Sequence, residues 1–224
     1  MVKTVFSIGL STGENLVIKK NRLEGTGGCG KGKRVAVVSG IHGDELEGQY
    51  VCYEIVRRIK ERPGLLDGTV DIYPALNPIG ITVASRKIPK LDMDMNRMFP
   101  GDEKGAVFER VAAAIIQDLA GADLCIDVHA SNRFVKEIPQ VRLCEEFSEQ
   151  LISYARHMNV DMVWTNATET VHEATLAHSM NCIGVPTLVV EMGLGMRVNR
   201  SYGRQVVEGI FNLLYELGIW KEQP

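Results

Sequence analysis

Residues 34–45 read RVAVVSGIHGDE, and this stretch decides the fold. Arg34–Gly40 is a continuous apolar run closed by glycine, as expected of a strand buried on both faces. The turn Ile41-His42-Gly43-Asp44-Glu45 then opens a segment, Glu45–Lys60, with apolar or small residues at helical spacing: Leu46, Tyr50, Tyr53, Ile55, Val56 and Ile59. Pro63-Gly64 ends that helix. Working outward, the alternation continues. Lys3–Ile8, Asn15–Lys19, Thr69–Pro74, Leu124–Val128, Asp161–Trp164 and Thr187–Glu191 read as strands. Ala106–Leu119, Glu145–His157, Glu173–Asn181 and Arg200–Leu217 read as helices. The expected class is α/β, a three-layer sandwich around a mixed, largely parallel sheet. Such sheets bind ligands beyond the carboxyl ends of their strands, so polar residues just past each apolar run are the candidates.

The composition excludes several classes. The chain has 224 residues, 45% apolar and 24% charged, which suits a globular domain and rules out a disordered or fibrous protein. No apolar run approaches the roughly 18 residues that span a bilayer, and Met1–Leu10 lacks a signal-peptide cleavage pattern. The net charge of −3 gives no reason to expect nucleic acid or another polyanion as partner. Five cysteines (Cys29, Cys52, Cys125, Cys144, Cys182) are scattered without a C-x-x-C pair, and read as small buried hydrophobes in a reducing, cytoplasmic protein.

Gly25–Gly32 reads GTGGCGKG. It fits G-x-G-x-x-G from Gly25 to Gly30 and nearly fits a P-loop with Lys31, but Gly32 stands where a magnesium-binding hydroxyl is needed. A phosphate loop must open a helix, and this one runs into the strand Arg34–Gly40. It is therefore read as a connection, with Lys19, Lys20, Arg22, Lys31, Lys33 and Arg34 as a solvated basic edge.

The chemistry-bearing residues follow the strands. His42 and Glu45 are three apart at the first strand-to-helix turn, where Gly43 lets the chain bend. His129 follows the apolar part of Leu124–Val128, within Asp127-Val128-His129-Ala130-Ser131. Two histidines and a glutamate make a catalytic zinc set with the fourth position open to water. Asp44 reads as a helix N-cap. Asp127 shares the strand face of His129, either orienting it or making a structural hydrogen bond. Glu191 closes Thr187–Val190, as general base beside the metal or, read alone, as a strand-end acceptor. A long segment runs from Asn77-Pro78 through Arg86 to Asp94-Met95-Asn96-Arg97-Met98-Phe99-Pro100-Gly101 and suits an ordered binding loop. There Arg97 can pair bidentately with a carboxylate and Arg86 can stabilise an oxyanion. Either arginine also fits a surface salt bridge.

His42-Gly43-Asp44-Glu45, Asp94-Met95-Asn96-Arg97 with Phe99-Pro100-Gly101, Asp127-Val128-His129 and Val190-Glu191 occur in an order that resembles the succinylglutamate desuccinylase/aspartoacylase family, of the zinc carboxypeptidase superfamily. The resemblance runs from about Arg34 to the final helix. It implies a zinc carboxypeptidase-like fold and one zinc per chain on His42, Glu45 and His129. It implies Glu191 as base, Arg86 polarising the scissile carbonyl, and Asn96 with Arg97 holding a substrate carboxylate. The nine-residue step from Asn77 to Arg86 favours Arg86 over Lys87 in that comparison. Family enzymes commonly carry a further β-rich domain that narrows the site. Here 33 residues follow Glu191 and read as one helix and a tail, so a single catalytic domain, 1–224, is expected. The site is then more open, or covered by a second subunit of a homo-oligomer. His157, His172 and His178 match no motif of the family.

The reading that follows is a zinc-dependent amidohydrolase, or deacylase, for an N-acyl amino acid or similar small amide bearing a carboxylate. Its competitors are a zinc carboxypeptidase on short peptides and a metal-binding protein without turnover.

Overall fold

Strand β3 (Arg34–Ser39) forms because its apolar side chains serve both faces of the sheet: Val35 and Val37 enter one core, Ala36 and Val38 the other. The computed structural model describes residues 1–10, 13–25, 32–167 and 173–224. The remaining described strands are β1 (Val2–Gly9), β2 (Asn15–Glu24), β4 (Thr69–Tyr73), β5 (Leu124–Ala130), β6 (Glu137–Cys144), β7 (Met162–Asn166) and β8 (Thr187–Gly193). The described helices are α1 (Glu47–Glu61), α2 (Pro78–Thr82), α3 (Val107–Leu119), α4 (Ser148–Ala155), α5 (Leu176–Cys182) and α6 (Arg200–Glu216). The strands make one eight-stranded sheet in the order β1-β2-β4-β3-β5-β8-β6-β7. Its centre, β4-β3-β5-β8, is parallel, and β6–β7 is parallel as well. The pairs β1–β2, β2–β4 and β8–β6 are antiparallel. Apolar residues of α1, α4 and α6 pack on one face, and those of α3 and α5 on the other, which makes three layers.

The largest departure from the sequence reading is β6, which no periodicity announces. Its sequence, EIPQVRLC, carries Pro139, which cannot donate to a ladder. The sheet accepts it because the register against β8 shifts between Glu137 and Gln140. Five expected strands also run longer: β1 spans Val2–Gly9, and β2 reaches Glu24, β5 Ala130, β7 Asn166 and β8 Gly193. His129 therefore lies inside β5 rather than past it, and Glu191 inside β8 rather than at its end.

Asp44 is not a helix cap. Helix α1 begins at Glu47 after Leu46, and the Asp44 carboxylate instead accepts from Arg133 Nε at 3.0 Å. The basic edge is also not uniformly solvated. Lys20 is buried and donates to Asp71 and Asp118, while Arg22 forks onto Asp71 through Nε and Nη2. Arg34 donates to carbonyls at the end of α3. These pairs tie β2, β3 and β4 to α3 far from the site. Of the cysteines, Cys52 and Cys125 are buried as expected, but Cys144 is partly exposed and Cys182 exposed. Cys29, His172 and the segment 26–31 of the glycine loop lie outside the described residues. No described helix is long and apolar enough to cross a membrane.

Candidate active site

Parallel pairing brings the candidates to one edge. Ser39 is level with Val128, and His129 with Glu191, so the carboxyl ends of β3, β5 and β8 lie side by side. Period-two alternation then selects the face. Leu124, Ile126 and Val128 of β5, and Leu188, Val190 and Met192 of β8, enter the core under α1 and α6. Asp127, His129 and Glu191 consequently project toward the α3 and α5 side. On antiparallel β6, Val141 and Leu143 join the α1 core, which sends Arg142 and Cys144 to the site face.

The turn after β3 completes the cluster. Gly40, at φ +72°, makes the sharp bend that the sequence reading gave to Gly43. Gly43 is needed for close approach instead: a Cβ there would stand 2.0 Å from the Gly80 carbonyl carbon. Its N–H donates to the Ser85 carbonyl at 2.9 Å, docking the His42 turn onto the loop that carries Arg86. Gly43→Ala should therefore cost about 1–3 kcal/mol of stability, as overpacking does, read as a lower urea-unfolding midpoint. An unchanged midpoint would show that the two segments separate freely.

His42, Glu45 and His129 are all buried, and each offers a ligand atom within 4.8 Å of the others. His42 Nδ1 is 2.7 Å from Glu45 Oε1, and His129 Nδ1 is 2.9 Å from Glu45 Oε2. Each imidazole has a carboxylate behind it. Asp94 Oδ1 is 3.1 Å from His42 Nε2, and Asp127 Oδ2 is 3.1 Å from His129 Nε2. At His42 that carboxylate is hydrogen-bonded to Nε2 and fixes the ring so that Nδ1 is the atom presented; at His129 the Asp127 carboxylate lies against Nε2 as a charge neighbour, outside hydrogen-bond geometry. The role of Asp94 went unread in the sequence, where it stood only as part of the Asn96-Arg97 motif. Burial would lower both imidazole pKa values, but the surrounding carboxylates outweigh it and raise them. Burial would raise Glu45, yet the two imidazoles hold it below the usual carboxylate range. Asp94 is likewise held low, its burial outweighed by His42. Burial pushes Glu191 up to about 7, against the pull of His129.

The other expected residues surround this cluster. Arg86 Nη1 donates to Glu45 Oε1 at 2.9 Å, whereas Lys87 turns away to Asp92. Asn96 is buried, and its Oδ1 accepts from the Leu176 N–H at the start of α5 at 3.0 Å. That bond leaves the amide end of Asn96 as its free donor. Arg97 Nη1 donates to the Asn96 carbonyl at 2.7 Å. A cavity of about 210 Å³ opens before these groups, lined by His42, Arg86, Asn96, Arg97, His129 and Glu191 together with Arg142, Cys144, His178 and Asn181. Sequence reasoning missed Arg142 and Cys144 because the strand that carries them was itself missed. His157 lies away from it, 4.0 Å from Glu216.

Two imidazole nitrogens and one carboxylate, buried together and open to a cavity on one side, fit a catalytic zinc ion. Arginine beside a carboxylate at the same opening can stabilise negative charge developing on a bound carbonyl.

Comparison with known proteins bears on the family and the fold. The sequence model of the succinylglutamate desuccinylase/aspartoacylase catalytic domain matches residues 31–217. The N-alpha-acetyl-L-2,4-diaminobutyric acid deacetylase of Halomonas elongata is 32% identical over 111 residues, covering 49% of this chain and 32% of that protein. The chain thus spans about a third of the length of that curated relative. Among solved structures, a succinylglutamate desuccinylase/aspartoacylase from Rhodobacter sphaeroides superposes with a TM-score of 0.84 at 24% identity, covering 100% of this chain and 67% of that one. A metallo-carboxypeptidase from Burkholderia cenocepacia superposes with a TM-score of 0.71 at 13% identity, covering 97% and 64%. These structural likenesses place the fold among the zinc carboxypeptidase-like folds.

Proposed function

The chain belongs to the succinylglutamate desuccinylase/aspartoacylase family, and from that premise we propose that it is a zinc-dependent amidohydrolase removing the acyl group from an N-acyl amino acid or similar small amide. The observation that carries the reading is the buried His42-Glu45-His129 cluster with Glu191 beside it at one cavity. A zinc ion on those three residues supplies Lewis acidity, polarising a carbonyl and making water acidic enough to ionise near neutral pH. Glu191 takes the proton of the attacking water on its carboxylate and returns it to the leaving nitrogen. Arg86 donates to the oxygen on which negative charge develops. Asp94 holds the His42 imidazole through its hydrogen bond, and the Asp127 carboxylate beside His129 favours the same orientation by charge. Arg97 and the amide of Asn96 take the substrate carboxylate. The described strands form one sheet whose edge and adjoining loops carry these roles, and we read 1–224 as one catalytic domain.

The test is zinc content together with hydrolysis of a panel of N-acyl amino acids. Turnover of the panel at about one zinc per chain supports the reading. Release of carboxy-terminal residues from dipeptides alone would favour a carboxypeptidase, and tight zinc without any turnover a binding protein.

Anchoring has its own test. A guanidinium matches a carboxylate with a planar fork that an ammonium lacks. Arg97→Lys should weaken binding by roughly tenfold to a hundredfold, the worth of a charge-assisted hydrogen bond of about 1.5–3 kcal/mol. The loss should shrink on a substrate whose carboxylate is replaced by a neutral amide, whereas Arg86→Lys should hurt both alike. Equal losses in the Arg97 variant would remove it as the clamp.

A further inference from the structure

Three arginines line the cavity, and their charges are not equally available. Arg86 is spent on Glu45 at 2.9 Å and lies 3.6 Å from Asp94, beside the histidines. Arg142, on β6, is held between two carboxylates, Glu137 at 2.8 Å and Glu191 at 3.3 Å, with the Trp164 ring against its guanidinium at 5.2 Å. Arg97 differs: its side chain meets a backbone carbonyl, and no described carboxylate pairs with it. Among the described residues, the rest of the lining offers no spare arginine or lysine. Asn181 of α5 is committed at both ends to the Thr187 backbone. His178 has Glu146 at 3.6 Å and Cys182 on the same helical face.

From this balance we infer that the site takes substrates with a single carboxylate, whose remaining side chain is neutral or cationic, and discriminates against dicarboxylates such as N-acylated aspartate. The inference rests on the amidohydrolase reading for the chemistry but not for the binding order. The first carboxylate has Arg97. A second one must enter a cavity whose other charges are already paired, and a charge desolvated without a partner is strongly disfavoured. A neutral side chain meets no such cost. A short cationic one is favoured further by the excess of carboxylate there, since Glu137 and Glu191 share the single Arg142.

Three near-isosteric ligands test this on the zinc-supplemented protein: the N-acetyl derivatives of 2-aminobutyrate, 2,4-diaminobutyrate and aspartate. Calorimetric titration reads affinity without turnover, and hydrolysis is followed in parallel. N-acetylaspartate should bind weakest, on the order of a hundredfold below the neutral ligand, the scale at which sites reject a group they leave unpaired. Glu137→Gln removes one of the two carboxylates on Arg142 and should narrow that gap. N-acetylaspartate binding as well as the neutral ligand, binding of none of the three, or a gap indifferent to Glu137→Gln would overturn the inference. The expected binding order without hydrolysis would sink the amidohydrolase reading and leave the charge inference standing.

Discussion

A Glu191→Gln protein is expected to keep its zinc and lose turnover by on the order of 10²–10⁴, the usual contribution of a general base. The substitution is close to isosteric, and β8 pairs with β5 and β6 through its backbone, so the sheet is left intact. What changes is the ability to accept a proton. Glu191 sits level with His129 on the neighbouring strand but is not one of the three residues clustered around the ligand position. Its side chain is only 15% exposed and shares one face with His129, so it is screened from bulk water and close to the reacting atoms. Metal analysis and single-turnover kinetics on the same preparation check both halves. Near-normal turnover in a folded, metal-loaded variant would exclude Glu191 as the base.

The second large effect concerns the metal. The wild-type chain should bind about one zinc, and His129→Ala should lose most of it. Removing one of three protein ligands takes away a bond, and it also leaves Asp127 buried with its imidazole gone. Asp127→Asn is the graded control. It keeps the ligand but weakens its orientation, and second-sphere changes of this kind typically cost about 10- to 100-fold in metal affinity. Thermal unfolding of both variants separates loss of the site from loss of the fold. Full zinc occupancy in His129→Ala would mean that the ligand set is wrong.

Some of this was legible locally. Continuous apolar runs ending in Gly or a polar residue locate β3, β5 and β8, and helical spacing locates α1, α3 and α6, because burial on a period of 2 or 3.6 is written into each segment alone. His42, Glu45, His129 and Glu191 were legible as candidates for the same reason: each stands within a few residues of the carboxyl end of a recognisable strand. Arg86 was preferred to Lys87 because the nine-residue step from Asn77 fits the pattern of the family the sequence resembles, and the two side chains do point to different partners, Glu45 and Asp92.

Other features depend on partners far along the chain. Pro139 hides β6, since nothing near it shows that a register shift against β8 will absorb the missing donor. With β6 hidden, Arg142 had no place, and its pairing with Glu191 across 49 residues could not be read. Lys20 looked like a solvated surface charge until β2 lay beside β4 and below α3, where Asp71 and Asp118 meet it. Asp94 looked like part of a binding loop until that loop folded back 52 residues onto His42.

The sequence by itself determined the α/β class, the strands that end at the site and the residue types able to hold a metal. Local periodicity and donor chemistry are properties of a short segment, and they need no knowledge of what packs against it. Only the tertiary structure decided which nitrogen of each imidazole faces Glu45, which arginine of the cavity has no carboxylate partner among the described residues, and that β6 lines the cavity. Those depend on strand order, on one bulge and on carboxylates brought in from distant segments, and the free energy that selects such pairings exists only once the chain has closed around them.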